Sequence, residues 1–151
     1  MDLYSKQYQK ATKQQSDLKN DIDTILIFES ANIVDKVKKR WSWGRGVNGG
    51  IIGEYSKSQL GQSYKAFKLN KNPSARGTVD LILSGSLSNK LTLKRLGGLF
   101  EIISTDSKFN QIGQKYGFEQ FNLTEDETKE LQNEIIEKIL TNYTYEVWQN
   151  V

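Results

Sequence analysis

The sequence predicts an α+β fold, in which a small antiparallel sheet is flanked by a long N-terminal helix and a C-terminal helix. Three observations carry it. Within Lys90 to Leu96, Leu91, Leu93 and the following Arg95 alternate with Thr92 and Lys94, and Gly97-Gly98 and then Leu99 to Ser104 follow. Two glycines can take the positive φ angles of a two-residue hairpin turn, which predicts a central hairpin over about residues 90–104. Leu18, Ile22, Ile25, Leu26, Ile33, Val37 and Trp41 recur at mostly three- and four-residue steps, the stripe of an amphipathic helix. Thr124-Glu125-Asp126-Glu127 is a capping box that opens a run with Leu131, Ile135, Ile136, Ile139 and Leu140 on one face.

Taken in order, residues 1–17 are rich in Gln, Lys and Ser, with isolated Tyr4 and Tyr8, and read as a flexible or helical arm. The striped helix begins at Leu18 and ends before Gly44. Its last turn holds Lys36, Lys38, Lys39 and Arg40, where the negative end of the helix dipole favours cations, so a structural role accounts for them. Trp41 to Gly50 is a glycine-rich connector, Ile51 to Ser56 a short extended piece, Lys57 to Lys71 a basic, glutamine-rich stretch, and Asn70 to Ser74 a turn with the single proline. From Gly77 to Ser104, three apolar runs (Val79 to Leu83, Leu91 to Leu96, Leu99 to Ile103) are punctuated as a small sheet would be. Phe109, Ile112 and Tyr116 predict a short helix ending at Gly117, followed by a connection holding Phe118 and Phe121. The final helix runs to about Asn142. Tyr143, Tyr145 and Val147 then alternate with Thr144, Glu146 and Trp148, a strand-like tail over residues 143–151 whose two apolar faces both need cover. Residues 18–142 form the expected single domain.

With 151 residues and 36% hydrophobic content, the chain supports one core. No run of about 18 apolar residues and no basic-then-apolar leader is present, so neither a membrane span nor secretion is expected. The absence of cysteine excludes disulfides and thiolate chemistry, and the absence of histidine removes the commonest general base and metal ligand. Net charge is +3 but uneven. Residues 36–95 carry thirteen Lys or Arg against two acids, whereas residues 96–151 carry four Lys against ten acids. A basic middle and an acidic end suit either nucleic acid or complementary faces on copies of one protein.

No constellation of catalytic groups emerges. Glu54 and Asp80 are the only acids in the basic middle and are expected to pair with nearby cations. Ser84-Gly85-Ser86 lacks the Gly-x-Ser-x-Gly nucleophile pattern, and the Gly44 to Gly49 glycines follow a helix where a phosphate-binding loop follows a strand. No cofactor or metal is expected, nor an enzyme. Trp41 and Trp43 beside Arg45 admit base stacking, yet Trp41 also completes the helix stripe, and a loop Trp commonly packs over a core edge or enters a subunit contact.

Gly53-Glu54-Tyr55-Ser56, Arg76-Gly77-Thr78-Val79-Asp80-Leu81 with Ser84-Gly85-Ser86-Leu87, Lys115-Tyr116-Gly117, and Phe121-Asn122-Leu123-Thr124-Glu125-Asp126-Glu127 follow one another in an order that resembles phage tail-completion and virion-morphogenesis proteins. The resemblance covers about residues 17–142. Ser84 stands where Thr is commoner in that pattern, and the tail after Asn142 has no counterpart. The resemblance implies a non-enzymatic virion subunit, assembled in the host cytoplasm. It would form a homo-oligomeric ring at the neck, between portal-side adaptor and tail proteins, around a channel for double-stranded DNA. Candidate interface or DNA-channel residues are Trp41, Trp43, Arg45, Lys57, Lys65, Lys68, Lys71 and Arg76. Candidate inter-subunit tail residues are Tyr143, Tyr145, Val147 and Trp148. The alternative is a stand-alone nucleic-acid-binding module using residues 36–95.

Overall fold

The computed structural model describes residues 3–75, 77–82 and 85–149, with side chains at all of these except 3, 75 and 142–149. In chain order the elements are α1 (Leu3–Phe28), α2 (Ser30–Ser42), α3 (Gln59–Lys71), α4 (Ser86–Asn89), β1 (Leu91–Leu96), β2 (Leu99–Ser104), α5 (Phe109–Tyr116) and α6 (Glu125–Gln149). Short 3-10 turns lie at Pro73–Ala75 and Phe118–Phe121. The fold is α+β, with a long N-terminal helix, a C-terminal helix and one two-stranded antiparallel sheet among the described residues. The chain divides into two compact units, residues 30–128 and residues 1–29 with 129–151.

In the unit of residues 30–128, α2 buries Ile33, Val34, Val37, Arg40 and Trp41. The core is completed by Ile52, Val79, Leu81, Leu87, Leu91, Ile102 and Phe121. Trp41 is fully buried, meets Phe121 edge-on with centroids 5.3 Å apart, and donates from Nε1 to the Gln120 carbonyl at 3.0 Å. Each such side chain contributes on the order of 1.5–3 kcal/mol of burial free energy. The hairpin has the expected register, Leu91 opposite Ser104 and Leu96 opposite Leu99. Its turn places Gly97 at φ 57 and Gly98 at φ 90, the left-handed region a tight hairpin requires. Burial falls away from base to tip: Leu91 and Ile102 are buried, while Leu96 and Leu99 are exposed.

In the other unit, α1 and α6 meet where Phe28 and Glu29 face Lys138. Glu29 is buried and ion-paired with Lys138, Leu131 is buried, and Ile22, Ile25, Leu26, Ile135 and Ile139 are half-buried. Leu18, Ile27, Phe28, Ile136 and Leu140 are exposed, Phe28 to 81%.

Four expectations are corrected. The single helix expected from Leu18 to before Gly44 is two, divided by a turn at Glu29, and the first extends back to Leu3, the helical alternative for that arm, because Gln, Lys and Ala are good helix formers even where they bury nothing. Residues 57–71, left without an element, contain α3, whose N-cap Ser58 accepts from the Gly61 amide. Val79 to Ile82 forms no strand. Among the described residues the backbone there pairs through a single bridge between Glu54 and Thr78, too little to make a ladder, and the Asp80 side chain is committed to Lys68 and Asn72. Leu83 and Ser84 lie outside the described residues. The tail is helical as far as Gln149, a continuation of α6 rather than a strand. Extending a formed helix gains a hydrogen bond per residue without a new nucleus, and that outweighs a weak alternation.

Candidate functional site

Thr124 and Glu127 form the predicted reciprocal cap, Thr124 N donating to Glu127 Oε2 at 2.7 Å and Glu127 N to Thr124 Oγ1 at 3.1 Å. Glu127 also pairs with Arg40, whose Nη2 donates to the carbonyls of Gln120 at 3.0 Å and Asn122 at 2.7 Å. This ties α2 to the segment between α5 and α6. Burial lowers the Arg40 pKa, and the charge of Glu127 opposes that shift.

On the same unit a cleft of about 310 Å³ opens between α5 and the aromatic residues of the 55–64 segment. One wall is a single face of α5 and its cap, Lys108, Gln111, Ile112 and Lys115, at steps of three, one and three. The facing wall is Tyr55 with Tyr64, edge-on at 5.6 Å between centroids. Val79, Leu81 and Leu87 form an apolar floor, and Gly85 and Ser86 close one end. Tyr116 lines the cleft beneath Lys115, whose ammonium sits 5.1 Å from the ring centre. Gly53 makes room for that ring, since a Cβ there would come within 3.2 Å of it.

The electrostatics favour donors. Asp80, which lines the cleft, is enclosed and ion-paired with Lys68 and accepts from Asn72 Nδ2 at 2.6 Å, yet its charge is felt by both wall tyrosines. Burial, and after it the Asp80 charge, push the Tyr55 hydroxyl up to about 12 and also raise that of Tyr64. Both phenols therefore stay protonated at neutral pH. Lys108 and Lys115 are exposed at the rim. The arrangement is an apolar-floored slot with cations toward both ends of one wall, suited to an anionic side-chain pair flanking an apolar segment.

The residues singled out by sequence are scattered. Trp41 is enclosed in the core, which removes it from stacking or interface work, and Lys68 is only 3% exposed and committed to Asp80, with Nζ also donating to the Ile82 carbonyl at 2.8 Å. A buried ammonium must have a fixed counter-charge, so Lys68 is structural. Trp43 is exposed, with Lys39 Nζ 5.7 Å from its ring centre. Arg45 is exposed and donates to the Gly49 carbonyl at 2.9 Å across its loop. Lys57 and Lys71 are exposed and Lys65 half-buried; Lys65, Lys68 and Lys71 follow one side of α3. Arg76 lies outside the described residues, as do the side chains of Tyr143, Tyr145, Val147 and Trp148. Of the two acids expected to be paired, Asp80 is; Glu54 is exposed and makes no ion pair among the described residues. Lys108, Gln111 and Lys115 were missed, although their spacing on the predicted short helix was the available signal.

A second hollow, of about 460 Å³, lies on the helical unit between Thr24, Ile25, Phe28, Glu137, Lys138 and Thr141, with Lys138 Nζ 5.7 Å from the Phe28 ring centre. No helix among the described residues is long and apolar enough to cross a membrane. Comparison with protein-family models, curated proteins and solved structures finds no match for this chain.

Proposed function

We propose that this chain is a structural subunit of a tailed-phage virion, a non-enzymatic, ring-forming component of the neck that joins portal-side and tail proteins. The carrying observation is the apolar surface that the helical unit leaves uncovered: Ile27, Phe28, Ile136 and Leu140 are each more than half exposed. Large apolar side chains left exposed near the end of α1 and midway along α6 mark surface that another protein covers. Charge supports the same reading. Residues 30–128 carry fifteen Lys and Arg against nine acids, net +6, whereas residues 1–29 with 129–151 carry six Lys against nine acids, net −3. Two unlike charged faces on one subunit suit a heterologous contact, the kind that closes identical copies into a ring. The order of motifs resembling tail-completion proteins supplies the virion context.

The alternative reading as a nucleic-acid module loses Trp41 and Lys68 from its surface. Trp43, Arg45, Lys57 and Lys71 remain exposed and would serve equally to line a DNA channel in the ring. Light scattering on the purified chain tests the proposal: a discrete oligomer of rising occupancy with concentration is expected, and a monomer at all concentrations overturns it.

A further inference from the structure

Resting on the ring reading above, we infer that the cleft walled by α5 is the socket for the acidic stripe of α6 from a second copy, and that this contact is what joins neighbouring subunits.

Lys108 stands at the N-terminal end of α5, where the helix dipole disfavours a cation and the nearby Asp106 carboxylate favours one, and it is exposed where it lines the cleft. Lys115 is seven residues on, two turns along the same face, which separates the two along the axis by about 10.5 Å. Between them Ile112 and Gln111 face an aromatic wall and an apolar floor. An occupant must therefore bring two anions about two turns apart and an apolar segment between or beside them.

The chain contains such an element. Along α6, Glu130, Glu134 and Glu137 stand at steps of four and three, one helical stripe with the same seven-residue span as Lys108 and Lys115. Glu130 and Glu137 are exposed, and Ile136 and Leu140 beside them are exposed as well. The stripe belongs to the unit of net charge −3 and the cleft to the unit of net charge +6. Helix-against-helix docking with antiparallel axes, which aligns the dipoles favourably, sets Lys115 against Glu130 and Lys108 against Glu137. Because socket and stripe are different surfaces, each copy offers one to each neighbour, as ring closure requires.

The chain's lack of cysteine makes the test direct. Lys115→Cys and Glu130→Cys are prepared as separate full-length proteins, mixed and mildly oxidised. The expected result is a disulfide-linked heterodimer exceeding the homodimers of either variant, which a contact within one chain cannot give. In parallel, Lys108→Glu/Lys115→Glu and Glu130→Lys/Glu137→Lys are each expected to weaken self-association at least tenfold by light scattering, and their mixture to recover it. All four positions are surface side chains; should the reversals perturb folding by circular dichroism, Lys108→Gln/Lys115→Gln makes the same test. An oligomer as tight as wild type in the reversed variants, without the heterodimer, overturns this contact and leaves the ring reading standing. A wild-type chain that stays monomeric overturns both.

Discussion

Arg40 and Glu127, eighty-seven positions apart, form a largely enclosed ion pair in which the carboxylate also closes the cap of α6. The guanidinium serves three acceptors at once, Glu127 and the carbonyls of Gln120 and Asn122, a fork that a lysine ammonium cannot reproduce. Sequence placed Arg40 among the dipole-favoured cations at the end of its helix; its burial and its three acceptors show that it also anchors α2 to the approach to α6. Glu127→Ala, which strands the buried charge and opens the cap, is expected to cost about 3–5 kcal/mol in urea unfolding. Arg40→Lys should also destabilise, and a loss below about 0.5 kcal/mol for both would contradict this role.

Lys68 and Asp80 make a second enclosed pair, and here coupling is the diagnostic. Removing either partner leaves the other charge buried, so Lys68→Met and Asp80→Leu should each cost about 3–5 kcal/mol, while the double substitution costs less than their sum. Additive losses in a double-mutant cycle would show that the two do not interact.

Glycine substitutions separate backbone strain from crowding. Gly97 and Gly44 both have positive φ, but a Cβ at Gly97 meets open space, whereas one at Gly44 would lie 2.1 Å from Thr78 Oγ1 and 3.2 Å from the Val79 carbonyl. Gly97→Ala is expected to cost about 1–2 kcal/mol from strain alone. Gly44→Ala should cost about 3 kcal/mol, strain plus the displacement of Thr78. Equal thermal shifts for the two would contradict this comparison.

Acid sensitivity should centre on Asp106. Its carboxylate accepts from Ser86 Oγ at 2.5 Å and from the Lys108 amide at 2.9 Å, and these bonds, the serine's foremost, hold it below its ordinary value of 3.8. A carboxylate depressed by folding contributes stability that is intact above the unfolded value and is lost as pH falls through the folded one. Stability should therefore drop on acidification below the ordinary carboxylate range, and Ser86→Ala should flatten that drop. Midpoints of urea unfolding measured from neutral pH downward check it.

The parts of the fold legible in sequence are those set by local chemistry. Two adjacent glycines needing positive φ located the hairpin, and Thr124 with Glu127 located the start of α6, because a turn and a cap are decided within four residues. Helix α3 did carry a signal, Leu60, Tyr64 and Phe67 at steps of four and three, but three apolar residues among many Lys and Gln make a thin stripe, and the structure leaves all three exposed and buries Lys68. The turn at Glu29 was hidden by apolar residues recurring on both sides of it, and the pairing of Glu29 with Lys138 joins positions 109 apart. The cleft was invisible for the same reason. Its two walls, Tyr55 with Tyr64 and the face of α5, meet only through tertiary packing, and spacing within α5 could indicate a shared face without saying what stood opposite.

Phe28 and Leu140 distinguish assembly from folding. Each is mostly exposed, so replacing either by serine removes little area that folding buries, and surface substitutions of this kind change stability by about 0.5 kcal/mol or less. If the uncovered face of the helical unit is covered by another copy, the same replacements expel well-packed apolar groups from an interface, where a few central side chains carry most of the binding. Phe28→Ser/Leu140→Ser is therefore expected to leave the urea midpoint of the dissociated chain unchanged while shifting the oligomer toward monomer at least tenfold in concentration. Light scattering across a dilution series reads the second quantity and fluorescence-detected unfolding the first. A variant that loses stability but assembles as tightly as wild type would place these side chains in the chain's own core instead.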